Sequence, residues 1–250
     1  LLSVQPTPVF ESTKPMGLLE LFRVSPLGCV GMFVIGGVFS ALFGMASVYG
    51  TESGMTISQI SAFVASIYIG GLLLQAPIGY ASDRMDRRWL ILAASITGAL
   101  AALAAIILPG YWAVLAAGFL VGGMSNPTYA LLIAHTNDYL DYDNMAAASG
   151  RLIFITGVGA VSGPLGAGAL MEQIGPQGFF IFLAMLFFGL AVYAGWRMTR
   201  RPATPVDETM SYAAILPTSS PVAMEAAIES GQDEEQDAQI GDSEAQSDRT

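Results

Sequence analysis

The sequence predicts an all-α membrane protein whose chain crosses the bilayer six times. Three observations predict it. Of the 250 residues, 53% are hydrophobic and only 12% are charged, about half the charged share of a soluble globular domain. The apolar residues fall in six continuous runs, each long enough for the roughly 20 helical residues that a hydrocarbon core requires. Lys and Arg are confined to alternate connections between those runs.

The first run, Pro26 to Tyr49, leads to a connection at Glu52 that has no base. The second, Ile57 to Ala81, enters a turn carrying Arg84, Arg87 and Arg88. The third, Trp89 to Leu108, ends at Pro109, again without Lys or Arg. The fourth is Tyr111 to Thr136; the fifth, Met145 to Met171, has Arg151 at its start and Glu172 after its end. The sixth, Gln177 to Met198, carries Arg197 in its last turn and is followed by Arg200 and Arg201. All six are continuous rather than alternating, and too long for barrel strands of about 10 residues. Because positive connections stay on the cytoplasmic side, and Lys14 and Arg23 precede the first run, both ends of the segment are expected inside.

Residues 1–25 read as a cytoplasmic linker, broken by Pro6, Pro8 and Pro15. Its Leu18, Leu19, Leu21 and Phe22 suit either an interfacial turn of helix or simple packing at the start of the first span. Residues 26–198 form the bundle, and 199–250 a tail too polar to order itself. The net charge of −10 resides mostly in that tail: residues 1–198 hold 9 acids and 7 bases, residues 199–250 hold 11 acids and 3 bases. No basic field for nucleic acid exists. Cys29 is the only cysteine, which excludes an internal disulfide and leaves a small buried residue. No metal or cofactor is expected. The chain begins without Met or a signal peptide pattern, so upstream sequence is expected.

The second connection reads Gly79-Tyr-Ala-Ser-Asp83-Arg84-Met-Asp86-Arg87-Arg88. With Leu74-Gln75-Ala-Pro77-Ile before it, Pro127-Thr-Tyr129 and Ala134-His135-Thr-Asn137-Asp138 in the fourth run, and Gly163-Pro164 in the fifth, the chain resembles the C-terminal half of a major facilitator superfamily transporter, of the YcaD-like subgroup. It departs from the loop pattern at Asp86, where Gly is more usual. The resemblance covers roughly residues 15 to 198. It implies helices seven to twelve of a twelve-helix fold, built as two inverted three-helix repeats, with helix breaks at Pro77, Gly163 and Pro164. It also implies that Gly79, Asp83, Arg84, Arg87 and Arg88 form a cytoplasmic latch, with Asp138 as its candidate partner. In helix five, Gly159, Gly163 and Ala167, and likewise Gly157, Ala160 and Pro164, make faces of small residues suited to close helix packing.

Polar side chains inside apolar runs must face protein or water. Gln75, Asn126 and Tyr129 are the candidates for a solute cavity, or else they hydrogen-bond and pack within the bundle. His135 and Arg151, near the arginine-bearing ends, are candidates for a gate or for structural hydrogen bonds. The function expected is secondary transport of a small solute by alternating access in a bacterial inner membrane. The partners expected are the lipid bilayer, a missing N-terminal six-helix half and the solute. The alternatives are a scaffold that recruits partners through its tail, and an intramembrane protease using Ser125 and His135. The latter is opposed by a ten-residue separation, about 15 Å along one helix.

Overall fold

The computed structural model describes residues 16–200, the side chains of residues 142 and 143 excepted. The linker's prolines and Lys14, the side chain of Asp143 and the acidic tail from residue 201 onward therefore lie outside the described residues.

All regular structure among the described residues is helical: α1 Leu18–Val24, α2 Pro26–Glu52, α3 Ile57–Ser82, α4 Arg87–Ile107, α5 Tyr111–Asn137, α6 Tyr142–Ile174 and α7 Gly178–Met198. Local chemistry sets most boundaries. Ser25 caps α2, accepting from the Gly28 N–H at 3.3 Å, and Pro26 takes the first turn, where its missing N–H costs nothing. Thr56 and Gln59 form a reciprocal capping box at α3. Asp86 caps α4 by accepting from the Arg88 N–H at 3.0 Å. At Gly110 (φ 103°) and Gly175 (φ 80°) the chain reverses through conformations that side-chain-bearing residues rarely adopt.

Five helices, α2, α3, α4, α6 and α7, are long and apolar enough to cross a membrane. The fourth expected span, α5, has the length at 27 residues but is diluted by Gly122, Gly123, Ser125, Asn126, Thr128, His135 and Asn137. From Val121 to Asn137 all of its residues except Asn126 are buried. This helix is polar because it lies inside the bundle.

The most extensive pairings are α2 with α6 and α3 with α5, with α4 set against α5 and α7. Glycines make both crossings. A Cβ on Gly36 would lie 2.1 Å from the Thr156 carbonyl oxygen, and one on Gly159 would lie 1.9 Å from that of Phe33. In the other crossing, Gly70 would meet the Phe119 oxygen at 1.9 Å and Gly122 the Ile67 oxygen at 2.2 Å. Main chain therefore rests on main chain in each, which maximises dispersion contact where lipid supplies no hydrophobic drive. Of the two small-residue faces of α6, Gly159, Gly163 and Ala167 pack inward, whereas Gly157 is exposed with nothing within 4 Å.

At the end remote from the arginines, Tyr49, Phe63, Phe179 and Phe180 interlock with ring centroids 5.0–6.5 Å apart and close the bundle between α2, α3 and α7. Only 22% of the apolar stretch is buried in α3 and in α6, against 61% in α2. Those two helices present the open surfaces. The short α1 buries Leu21 and exposes Leu18, Leu19 and Phe22, and it packs on α2 and α6.

Candidate functional site

The turn between α3 and α4 carries three arginines, Arg84, Arg87 and Arg88, and two carboxylates, Asp83 and Asp86, and meets a third carboxylate, Asp138, at the end of α5. Arg87 points into the bundle with its side chain 2% exposed and forms an ion pair with Asp138, itself 4% exposed, at the end of α5. Its Nε donates to Ser82 Oγ at 3.2 Å and its Nη1 to the Ala134 carbonyl at 3.4 Å, while Nη2 is buried with no partner among the described residues. One arginine thus ties the ends of three helices. Arg84 instead turns back on its own helix, over the Tyr80 ring at 3.5 Å. Asp83 is exposed, and its N–H bonds the Gly79 carbonyl at 3.3 Å.

Asp86, the departure from the family pattern, has a function of its own here. Besides capping α4, it accepts from Arg88 Nε at 3.0 Å and Nη2 at 2.7 Å. Burial pushes its carboxyl up, but the hydrogen bonds and charge of Arg88, aided by the field of His135, outweigh this and hold it below its ordinary value of 3.8. A carboxylate with a depressed folded pKa stabilises the fold above its unfolded pKa and loses that contribution as pH falls through the folded value. Asp86→Asn, which keeps a good helix cap but loses the charged bonds to Arg88, is therefore expected to destabilise by about 1 kcal/mol at pH 7. The difference in thermal midpoint from the unsubstituted chain should shrink as the pH falls past the ordinary value of 3.8 and vanish once it lies below the still lower folded value.

His135 is 5% exposed, and its ring meets Tyr139 edge-on at 5.1 Å. With Ser25, Arg88, Tyr139 and Arg197 it borders a cavity of about 20 Å³, room for one water molecule. Arg151 reaches toward the linker: its Nε donates to the Met16 carbonyl at 3.0 Å, fastening the start of α1 to α6.

In the middle of the spans, Asn126 lies half-buried with its amide resting on Gly71, where a Cβ would come within 2.3 Å of Nδ2. Gln75 is one turn farther along α3 on the same side. Neither amide has a hydrogen-bond partner among the described residues. Tyr129 differs from the cavity expectation: it is 1% exposed, with its ring edge-on to Phe39 at 5.8 Å. From Phe39 a file of rings runs outward through Phe43 to Tyr68 on the open surface. The sequence pointed to neither Gly71 nor Tyr68, though the Gly70-Gly71 pair was the available signal. Pro77 is exposed and Pro164 half-buried, both inside unbroken helices, and Gly163 is buried against Ser40 of α2.

The protease alternative calls for an available Ser125 hydroxyl. Ser125 Oγ donates to the Val121 carbonyl of its own helix at 2.6 Å, spending the hydroxyl on the backbone.

A sequence profile of the Major Facilitator Superfamily matches residues 28–224. The chain belongs to the major facilitator superfamily. Within it the facilitator is YcaD-like. It is 27% identical over 154 residues to the "Uncharacterized MFS-type transporter YfkF" of Bacillus subtilis, covering 61% of this chain and 39% of that protein. It is 26% identical over 184 residues to the "Uncharacterized MFS-type transporter YcaD" of an Escherichia coli strain, covering 74% of this chain and 47% of that protein. The chain thus spans less than half the length of either relative. Membership makes this facilitator an integral membrane protein of a transporter family rather than an enzyme.

Proposed function

We propose that this facilitator chain is the C-terminal, six-span half of a secondary transporter of the bacterial inner membrane, working by alternating access on a small solute. In this reading α5 is the sixth span and the arginine turns face the cytoplasm. Gln75 and Asn126 face the solute path, and a second six-helix bundle closes against α3 and α6. The observation that carries it is the pair of unpartnered amides held mid-span on the open side of the bundle, where hydrocarbon would leave each costly and unsatisfied.

The repeat architecture has its own support. Phe33, Gly36, Ile67 and Gly70 correspond to Phe119, Gly122, Thr156 and Gly159 when α2 is laid on α5 and α3 on α6, and the two backbone approaches at the α2–α6 crossing are matched by two at the α5–α3 crossing. The Arg87 network acts as the latch of the closed cytoplasmic end, with Asp138 as the partner that must release.

Uptake of a solute panel into proteoliposomes holding the complete transporter tests this reading. At least one small solute should enter, with Asn126→Ala lowering its flux about tenfold, the value of one lost hydrogen bond to a desolvated solute. Deletion of residues 202–250 should leave flux intact, against the scaffold alternative. Cysteine labelling that reached residues 52 and 84, both exposed, from the same face of a vesicle would overturn the topology.

A further inference from the structure

We propose that the arginine end of α7 is a site for an anionic phospholipid, with the phosphate between Arg197 and Arg200 and one acyl chain laid along the outer face of the helix. The site is independent of the transport reading. Phe188, Gly189, Val192, Tyr193 and Trp196 line a groove of about 400 Å³ on that face. Its floor is Gly189, where a Cβ would meet nothing within 4 Å, and its walls are Phe188 at 65% exposure and Trp196 at 49%. From Phe188 to Trp196 the helix rises about 12 Å, most of the roughly 15 Å that one leaflet contributes to a hydrocarbon core.

Both cations gather where the groove ends. The guanidinium carbons of Arg197 and Arg200 lie 5.8 and 5.6 Å from the Trp196 ring centroid. Neither is ion-paired to a carboxylate among the described residues. The ring attracts the two charges while leaving their N–H groups free for an external acceptor. A phosphate diester suits that acceptor position, since guanidinium forks bind phosphate oxygens in pairs. A zwitterionic headgroup brings its own ammonium, which competes for the same phosphate. The charge complementarity therefore selects an anionic lipid, and the groove selects a lipid over a soluble phosphate.

Native mass spectrometry of the whole purified chain with equal amounts of dioleoyl phosphatidylglycerol and dioleoyl phosphatidylcholine tests the site. The first retained lipid should favour phosphatidylglycerol about tenfold, consistent with two arginines at a membrane surface. The double variant Arg197→Gln/Arg200→Gln should retain the two lipids about equally, and Arg197→Lys/Arg200→Lys should keep most of the preference. Gly189→Leu, which fills the groove and leaves both charges, should weaken phosphatidylglycerol retention several-fold. Soluble glycerophosphoglycerol at matched concentration should displace none of it. Equal retention of both lipids by the unsubstituted chain, an unchanged preference in the double Gln variant, or displacement by the soluble headgroup would each overturn the proposal.

Discussion

Replacing Arg87 with alanine is expected to lower the unfolding free energy of the bundle by about 3–5 kcal/mol, the range for breaking a buried ion pair. The reason is what remains behind. Asp138, 4% exposed, loses the buried Arg87 cation, and Ser82 and the Ala134 carbonyl lose a donor. Denaturant titration in detergent gives the free energy directly. Asp138→Ala strands the guanidinium in the same way, with Nη2 already unpartnered. The double variant should lose less than the sum of the two single losses, because neither charge then lacks a partner. Arg87→Lys keeps a cation but cannot serve both the Ser82 and Asp138 sides through a planar fork. A single-variant loss under about 1 kcal/mol, the value of an exposed pair, would remove this ion pair from the account of how the helix ends are held.

Gly159→Ala is the second large effect. One methyl group would sit 1.9 Å from the Phe33 carbonyl oxygen, and the obstacle is backbone, not the end of a flexible side chain. Helices α2 and α6 must separate along their length, at a cost of about 3 kcal/mol or more, the top of the range for overpacking. Gly70→Ala should behave alike against Phe119. Gly157→Ala, two positions from Gly159 on the same helix but with open space around it, should stay within about 0.5 kcal/mol of the unsubstituted chain. Thermal midpoints of the three variants in one detergent decide the matter; equal shifts at Gly157 and Gly159 would refute the backbone crossing.

Helix positions were legible because apolar length is a strong signal. All six runs became helices, and the bounds moved by at most three residues, mainly where polar caps such as Asp86 extend a helix beyond its apolar part. Less legible was which side of each helix faces inward. Asn126 and Tyr129 are three residues apart and share a broad face, yet one turn of geometry leaves the first half-exposed and buries the second on Phe39. Periodicity could not separate them, since α5 has buried neighbours on nearly every side. The charged turn was legible as a cluster but not as pairs. Arg87 and Arg88 are adjacent, so they point about 100° apart around α4. One meets Asp138 across the bundle and the other folds back on Asp86. Similarly, nothing in spacing alone distinguished Gly159 from Gly157 until α2 was in place.

The two glycine crossings bind each half of the helical sequence to the other. Helices α2 and α3 find their closest neighbours in α6 and α5, which lie beyond the Pro109-Gly110 turn. Neither set of three helices therefore holds its own tightest seam, and a chain severed at that turn yields two interlocking pieces rather than two domains. Insertion machinery that releases helices in order must accordingly leave the first three in lipid, unclasped, until the later ones arrive to complete them.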